Sequence, residues 1–269
     1  MDVLRPIELT RRPAQPPTRA IGVFSLHPVW AVAFGLLISH LIITRVLPLS
    51  PELRTAADDI LLAVQGLLAT VVLYWSARAT EGMSERVGMA WRLLATAQLF
   101  ATLGDVVWTV LEVGLGLDPF PSLADIGYMA YYPFVIMGLL LLPARPLTRT
   151  GRFKFALDIA LVMVASSLLF WLVLFGPILD VGDSDPLVLL VTLVYPSLDL
   201  LLLWVVVMIL LRQTAPSPAL LIYTLSIIFM AGADGVFNYE SVRGTYVSGS
   251  SLPDILFPLS VFLALTAGL

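Results

Sequence analysis

Long apolar runs separated by short polar connections organise the whole chain. Eight can be bracketed by charges, prolines and glycines, at residues 29–47, 57–77, 90–113, 122–143, 154–178, 187–211, 218–240 and 252–269. Crossing the hydrocarbon core takes about 20 predominantly apolar residues, so each run predicts a transmembrane helix. The first and fifth are the plainest, and the third, sixth and seventh carry acids in their interiors. The expected fold is an all-α integral membrane protein of about eight transmembrane helices.

Part of this pattern occurs twice. Gly104-Asp105-Val106-Val107-Trp108 is followed by Ser122-Leu123-Ala124-Asp125, and Ala233-Asp234-Gly235-Val236-Phe237 by Ser251-Leu252-Pro253-Asp254. In both, an aromatic lies three residues after the first aspartate and the second aspartate lies 20 after it. The offset of 129 residues predicts two four-helix halves, 29–143 and 154–269, joined by a connector at 144–153 and preceded by a tail at 1–28. An even number of helices per half makes the repeats equally oriented, related by an axis along the membrane normal. A third echo, Tyr195-Pro196-Ser197-Leu198-Asp199, lies in the sixth run.

Charge sets the orientation. Twelve of the 15 basic residues fall in the tail and alternate connections, while Arg45, Arg54 and Arg243 face the other way together with Asp118, Asp180, Asp183 and Asp185. Cytoplasmic connections carry the Lys/Arg excess, so the N-terminus is expected in the cytoplasm. The tail, with Arg5, Arg11, Arg12, Arg19 and several prolines but no apolar core, is expected to be disordered and not a cleaved signal. Leu269 falls inside an apolar run, which leads us to expect further residues beyond it.

Composition narrows the chemistry. Only 13% of residues are charged, against about 25% in soluble domains. With no cysteine, thiolate metal sites and disulfides are excluded, and His27 and His40 alone make a histidine metal site or haem ligation improbable. No nucleophile elbow, HExxH, P-loop or GxGxxG stands in a usable context. The residues given therefore predict no enzyme, no cofactor, no metal and no nucleic-acid partner.

The acids remain. A charge in hydrocarbon costs at least about 2.5–3.5 kcal/mol, which makes intramembrane carboxylates functional candidates. Asp105 and Asp234 fall in the outer parts of their helices, Asp125 and Asp254 at outer helix starts together with Asp58 and Asp59, and Asp199 halfway along its helix. One bundle would bring them to an outward cavity with Trp108, Tyr128, Tyr131, Tyr132, Trp204, Phe237, Asn238 and Tyr239 around it. The candidate ligand-binding set is Asp105, Trp108, Asp125, Tyr128, Tyr132, Asp199, Asp234, Phe237, Asn238 and Asp254. Two plainer readings stand beside it: Asp125 and Asp254 as first-turn acids capped by Ser122 and Ser251, and boundary aromatics, Tyr74, Trp75 and Tyr246 above all, as a lipid-facing belt. Asp158, near Arg152 and Lys154, is expected at the interface.

The stretch from Gly104-Asp105 to Trp108, Pro119-Phe120-Pro121-Ser122-Leu123-Ala124-Asp125-Ile126-Gly127-Tyr128, Tyr132-Pro133 and Gly138-Leu139-Leu140-Leu141 resembles a polytopic N-terminal membrane module of bacterial signalling proteins. Tyr195-Pro196, Asp199, Ala233-Asp234 and Gly244-Thr245-Tyr246 carry the resemblance into the second half, so that it covers residues 95–269; Pro253 and Phe257 depart from it. That module precedes GGDEF and EAL domains, which make and degrade cyclic di-GMP, or a kinase. The resemblance implies a cytoplasmic output domain after Leu269, with a homodimer formed through it. The function expected is a sensory input module that binds a small polar or cationic ligand, or a proton, in the acidic–aromatic cavity. A cation- or proton-coupled transporter or channel, and a scaffold subunit of a membrane complex, are the alternatives.

Overall fold

The computed structural model describes residues 28–82, 84–143, 149–176, 179, 186–213 and 215–269. The expected tail therefore lies outside the described residues except for Pro28, as do residues 144–148 of the connector and the acids Asp180, Asp183 and Asp185.

Among the described residues eight helices follow one another. They are α1 (Pro28–Arg45), α2 (Pro51–Glu81), α3 (Glu85–Thr109), α4 (Ala124–Leu141), α5 (Arg149–Phe170), α6 (Pro186–Leu211), α7 (Pro218–Val242) and α8 (Pro253–Ala267). α3 and α5 each run on into a π-helical turn, Val110–Gly114 and Trp171–Phe175. Seven of the helices are long and apolar enough to cross a membrane, and α8, with 15 residues, is the shorter one. The chain is a multi-pass, all-α membrane protein.

Local chemistry sets the starts. Ser50, Ser84 and Ser217 each accept a backbone N–H from the first turn, at 3.4, 3.4 and 3.2 Å. Pro51 and Pro218 occupy the first helical positions, where the missing N–H has no intrahelical partner to lose. This corrects two expected boundaries. α2 begins at Pro51 instead of 57, so Asp58 and Asp59 lie two turns inside it and not at its start. α5 begins at Arg149, so the second part of the 144–153 connector is helical. A helix runs on past its apolar run through charges that a cavity or the headgroup region can hold.

α3 lies between α2 and α4, and α7 packs on α6 and α8. α2 also touches α8, α4 touches α6, α1 rests on α2 and α8, and α5 rests chiefly on α6. A shift of four helices turns the pairs α1–α2, α2–α3, α3–α4 and α2–α8 into α5–α6, α6–α7, α7–α8 and α6–α4, all of which occur. No described side chain of the α5 span is buried.

The core lies toward one end of the bundle, where Leu73, Leu94, Val135, Leu139, Leu202 and Ile227 are fully enclosed. The opposite end carries the α1–α2, α3–α4 and α7–α8 connections. Arg45 donates to the carbonyls of Ser250 and Ser251, and Arg54 donates to Ser250 Oγ at 3.2 Å, which ties two of these connections together. Gly249 allows this contact: its φ is +71°, and a Cβ there would meet the Arg54 backbone at 3.2 Å.

Candidate functional site

Beneath those connections lies a cavity of about 140 Å³ enclosed by α2, α3, α4, α6, α7 and α8. Six carboxylates line it, from Asp58, Asp59, Asp105, Asp125, Asp234 and Asp254, and no Lys, Arg or His does. Gln98, Ser226, Asn238 and Ser260 add neutral polar groups, while Trp108, Phe120, Phe237 and Phe257 supply apolar wall.

Tyrosines partner most of the acids. Tyr128 donates to Asp105 at 3.1 Å, Tyr195 to Asp125 at 2.6 Å and Tyr246 to Asp254 at 2.9 Å. The Tyr132 hydroxyl lies 2.8 Å from Asp199 and 3.3 Å from Asp234, so one phenol proton serves two acids on different helices. Tyr246 sits in the α7–α8 connection, where burial, and then the Asp254 charge beside it, hold its phenol well above the usual tyrosine range. It stays a donor throughout the physiological range.

The Ser-Leu-x-Asp motifs work alike. Asp125 Oδ2 accepts the Ser122 N–H at 2.6 Å, and Asp254 Oδ2 accepts the Ser251 N–H at 2.7 Å. Ser122 Oγ in turn accepts the Ala124 N–H at 3.1 Å, so the two side chains exchange backbone donors just ahead of α4. Each aspartate thus fastens a helix start with one oxygen and meets a tyrosine with the other. Both acids stand in the first turn and also meet the site, but Ser251 does not cap α8: its Oγ accepts the Val247 N–H at 3.0 Å. Asp254 has in addition the Arg45 guanidinium at 3.6 Å.

The two motifs part in where their phenols come from. Tyr128 serves Asp105, but the residue 129 positions on is Phe257, which has no hydroxyl. Asp234 takes its phenol from Tyr132 of the other half instead.

Asp58 has a different partner. His40, fully buried on α1, places Nε2 2.7 Å from Asp58 Oδ1, and Gln65 Nε2 lies 2.8 Å from His40 Nδ1. With Gln65 donating to Nδ1, the imidazole proton sits on Nε2 and points at Asp58. Asp59 stands apart. Its side chain accepts no hydrogen bond from any described residue, Oδ2 is buried without a partner, and the charged groups acting on it are the acids Glu112, Asp58, Asp105 and Asp254.

Of the ten candidate residues, nine line the cavity: Asp105, Trp108, Asp125, Tyr128, Tyr132, Asp234, Phe237, Asn238 and Asp254. Asp199 does not reach it. At 1% exposure it lies behind Tyr132, so it acts on the wall and not as part of it. Trp204 is turned away and donates to Ser166 of α5 at 2.8 Å, and Tyr239 lies outside under the Arg243 guanidinium, 4.4 Å from its ring centre. Tyr246, grouped with the lipid-facing belt, belongs to the site: its ring packs edge-on against Phe237 at 4.8 Å. Tyr74 and Trp75 are exposed on α2, and Asp158 is exposed on α5.

His40, Asp59, Tyr195 and Glu112 are missing from the candidate set. Glu112 accepts the Trp108 indole N–H at 2.6 Å, and its position one turn after Trp108 was a readable signal. Another was the aromatic–proline step. Tyr132-Pro133, Tyr195-Pro196 and Phe257-Pro258 lie inside α4, α6 and α8, and each aromatic lines the cavity. No protein-family model, curated protein or solved structure matches the chain.

Proposed function

We propose that the chain is a membrane-embedded sensory input module. It binds a small polar or cationic ligand, or a proton, in the acidic–aromatic cavity and transmits occupancy to a cytoplasmic output domain. One observation supports this most strongly: a cavity with six acids and no base in its wall. Low-dielectric walls lined by one sign of charge concentrate counter-ions of the other. The closed far end favours reception over passage, because beyond Tyr132 and Asp199 the bundle is filled by side chains such as Leu139, Leu202 and Ile227. An open channel would need a second opening there. Because the wall comes from both sets of four helices, occupancy bears on their relative packing, the step a signal requires.

In this reading the protein sits in the bacterial inner membrane with its N-terminus inside, the two four-helix halves are a repeat, and the output is a cyclic di-GMP enzyme or a kinase. Orientation is checked by single-cysteine labelling in this cysteine-free chain. Leu117→Cys is expected to react with an impermeant maleimide on intact cells, and Glu85→Cys only after permeabilisation; the reverse pattern refutes the orientation. The function is tested in the full-length protein by its output under an amine and pH screen. Asp59→Asn and Asp234→Asn are expected to abolish the response while the protein still reaches the membrane. Amine or proton flux through reconstituted vesicles, with an unchanged output, would replace the sensor by the transporter.

A further inference from the structure

We infer that the cavity takes a small primary ammonium ion, with Asp59 as its counter-ion and Asn238 as a second acceptor. This deepens the reading of the cavity as a ligand site and rests on it. Every other acid in the wall already has a donor: a tyrosine for Asp105, Asp125, Asp234 and Asp254, and His40 for Asp58. Asp59 has none among the described residues, although it is 94% buried, at 6% exposure. Asn238 is 1% exposed; its amide N–H donates to the Asp234 carbonyl at 2.8 Å, which leaves Oδ1 buried with no partner. Both lie in the cavity wall. The two buried side-chain atoms of the wall left without a partner, Asp59 Oδ2 and Asn238 Oδ1, are therefore both acceptors, and one belongs to a carboxylate. A buried polar group without a partner is costly, more so when charged. The complementary occupant brings N–H donors and a positive charge.

A metal ion does not fit this wall. Among the described residues no three acidic or histidine side chains converge closely enough to hold one, whereas calcium takes 6–8 oxygen ligands. The rest of the surface is aromatic. Phe237 is met edge-on by Trp108, Phe120 and Tyr246, with ring centres at 5.7, 5.5 and 4.8 Å. That lining suits an apolar body and the faces of a cation. The cavity's 140 Å³ is close to the ~150 Å³ that accepts benzene in a protein interior, so the body is a short alkyl or single aryl group. A quaternary ammonium has the charge but no N–H, and cannot satisfy Asp59 and Asn238.

The probes are benzylamine, benzyltrimethylammonium, benzyl alcohol and benzoate, titrated calorimetrically into the full chain in lipid nanodiscs, with thermal stabilisation as a second readout. Benzylamine is expected to bind saturably, about tenfold or more tighter than the quaternary ion and the alcohol, with benzoate not binding. Asp59→Asn is expected to weaken benzylamine about 30-fold and Asn238→Ala about fivefold. The Asn238 variant keeps the test available should Asp59→Asn misfold. Equal affinity for the quaternary ion, affinities unmoved in the variants, or a melting shift that follows pH alone without saturable amine binding overturns the assignment. If benzylamine binds as expected but the full-length output does not respond, the sensory reading fails and the ammonium site stands. If the output answers to the alcohol or benzoate, the ammonium site fails and the sensory reading stands.

Discussion

Tyr132→Phe is expected to destabilise the folded bundle by about 2–4 kcal/mol, more than the loss of any other phenol in the site. Tyr132 is 2% exposed, and its hydroxyl is the single donor that the described residues offer to Asp199, itself 1% exposed. Removing it leaves Asp199 enclosed with no partner and takes the phenol from Asp234, 3.3 Å away, as well. An orphaned buried acceptor costs its desolvation outright, whereas removing both partners together can be close to neutral. Tyr195→Phe is the control. Asp125 keeps the Ser122 N–H at 2.6 Å, so the loss there should be about 1 kcal/mol. Unfolding in mixed micelles should give Tyr132→Phe the larger loss, and the double variant Tyr132→Phe/Asp199→Leu should recover most of it. Equal losses for the two tyrosines, or no recovery in the double variant, would show that Asp199 does not depend on Tyr132.

Gly127→Ala is expected to cost about 1–3 kcal/mol and to disturb the cavity. A Cβ at Gly127 would stand 2.8 Å from the Phe100 carbonyl oxygen and 2.9 and 3.0 Å from the backbone N and Cα of Gly104. Those are backbone atoms of α3 and cannot rotate aside, so α3 and α4 must separate. The separation pulls Tyr128, the next residue, off Asp105 across the same interface. Gly104→Ala acts through the ring itself, since its Cβ would fall 2.6 Å from Tyr128 Cε1. Gly35→Ala and Gly232→Ala are the controls, with nothing within 4 Å of the added carbon, and should be neutral or slightly stabilising. Thermal unfolding in detergent separates the two classes. If all four alanine variants melt together, the close α3–α4 approach is not what positions Tyr128.

Hydropathy along the chain was enough to determine the helical membrane class and the place of each helix to within about two turns. The need for about 20 apolar residues per crossing is local, and the capping chemistry of Ser50, Ser84 and Ser217 is local too. The paired Asp105/Asp125 and Asp234/Asp254 were legible for the same reason, because helical spacing shows which residues share a face. Spacing does not show which helix stands opposite. Asp199 looked like part of the wall and lies behind Tyr132, 67 positions away in sequence; Asp125 finds Tyr195 at a separation of 70, and Asp234 finds Tyr132 at 102. Trp204 and Tyr239 share composition and depth with the true lining, yet face α5 and the exterior. Asp59 differs from its neighbour Asp58 only in what packs around it: His40 reaches one, and no donor reaches the other. Those outcomes belong to tertiary packing, because a hydrogen bond needs its partners within about 3 Å, and only the docked helices set that distance.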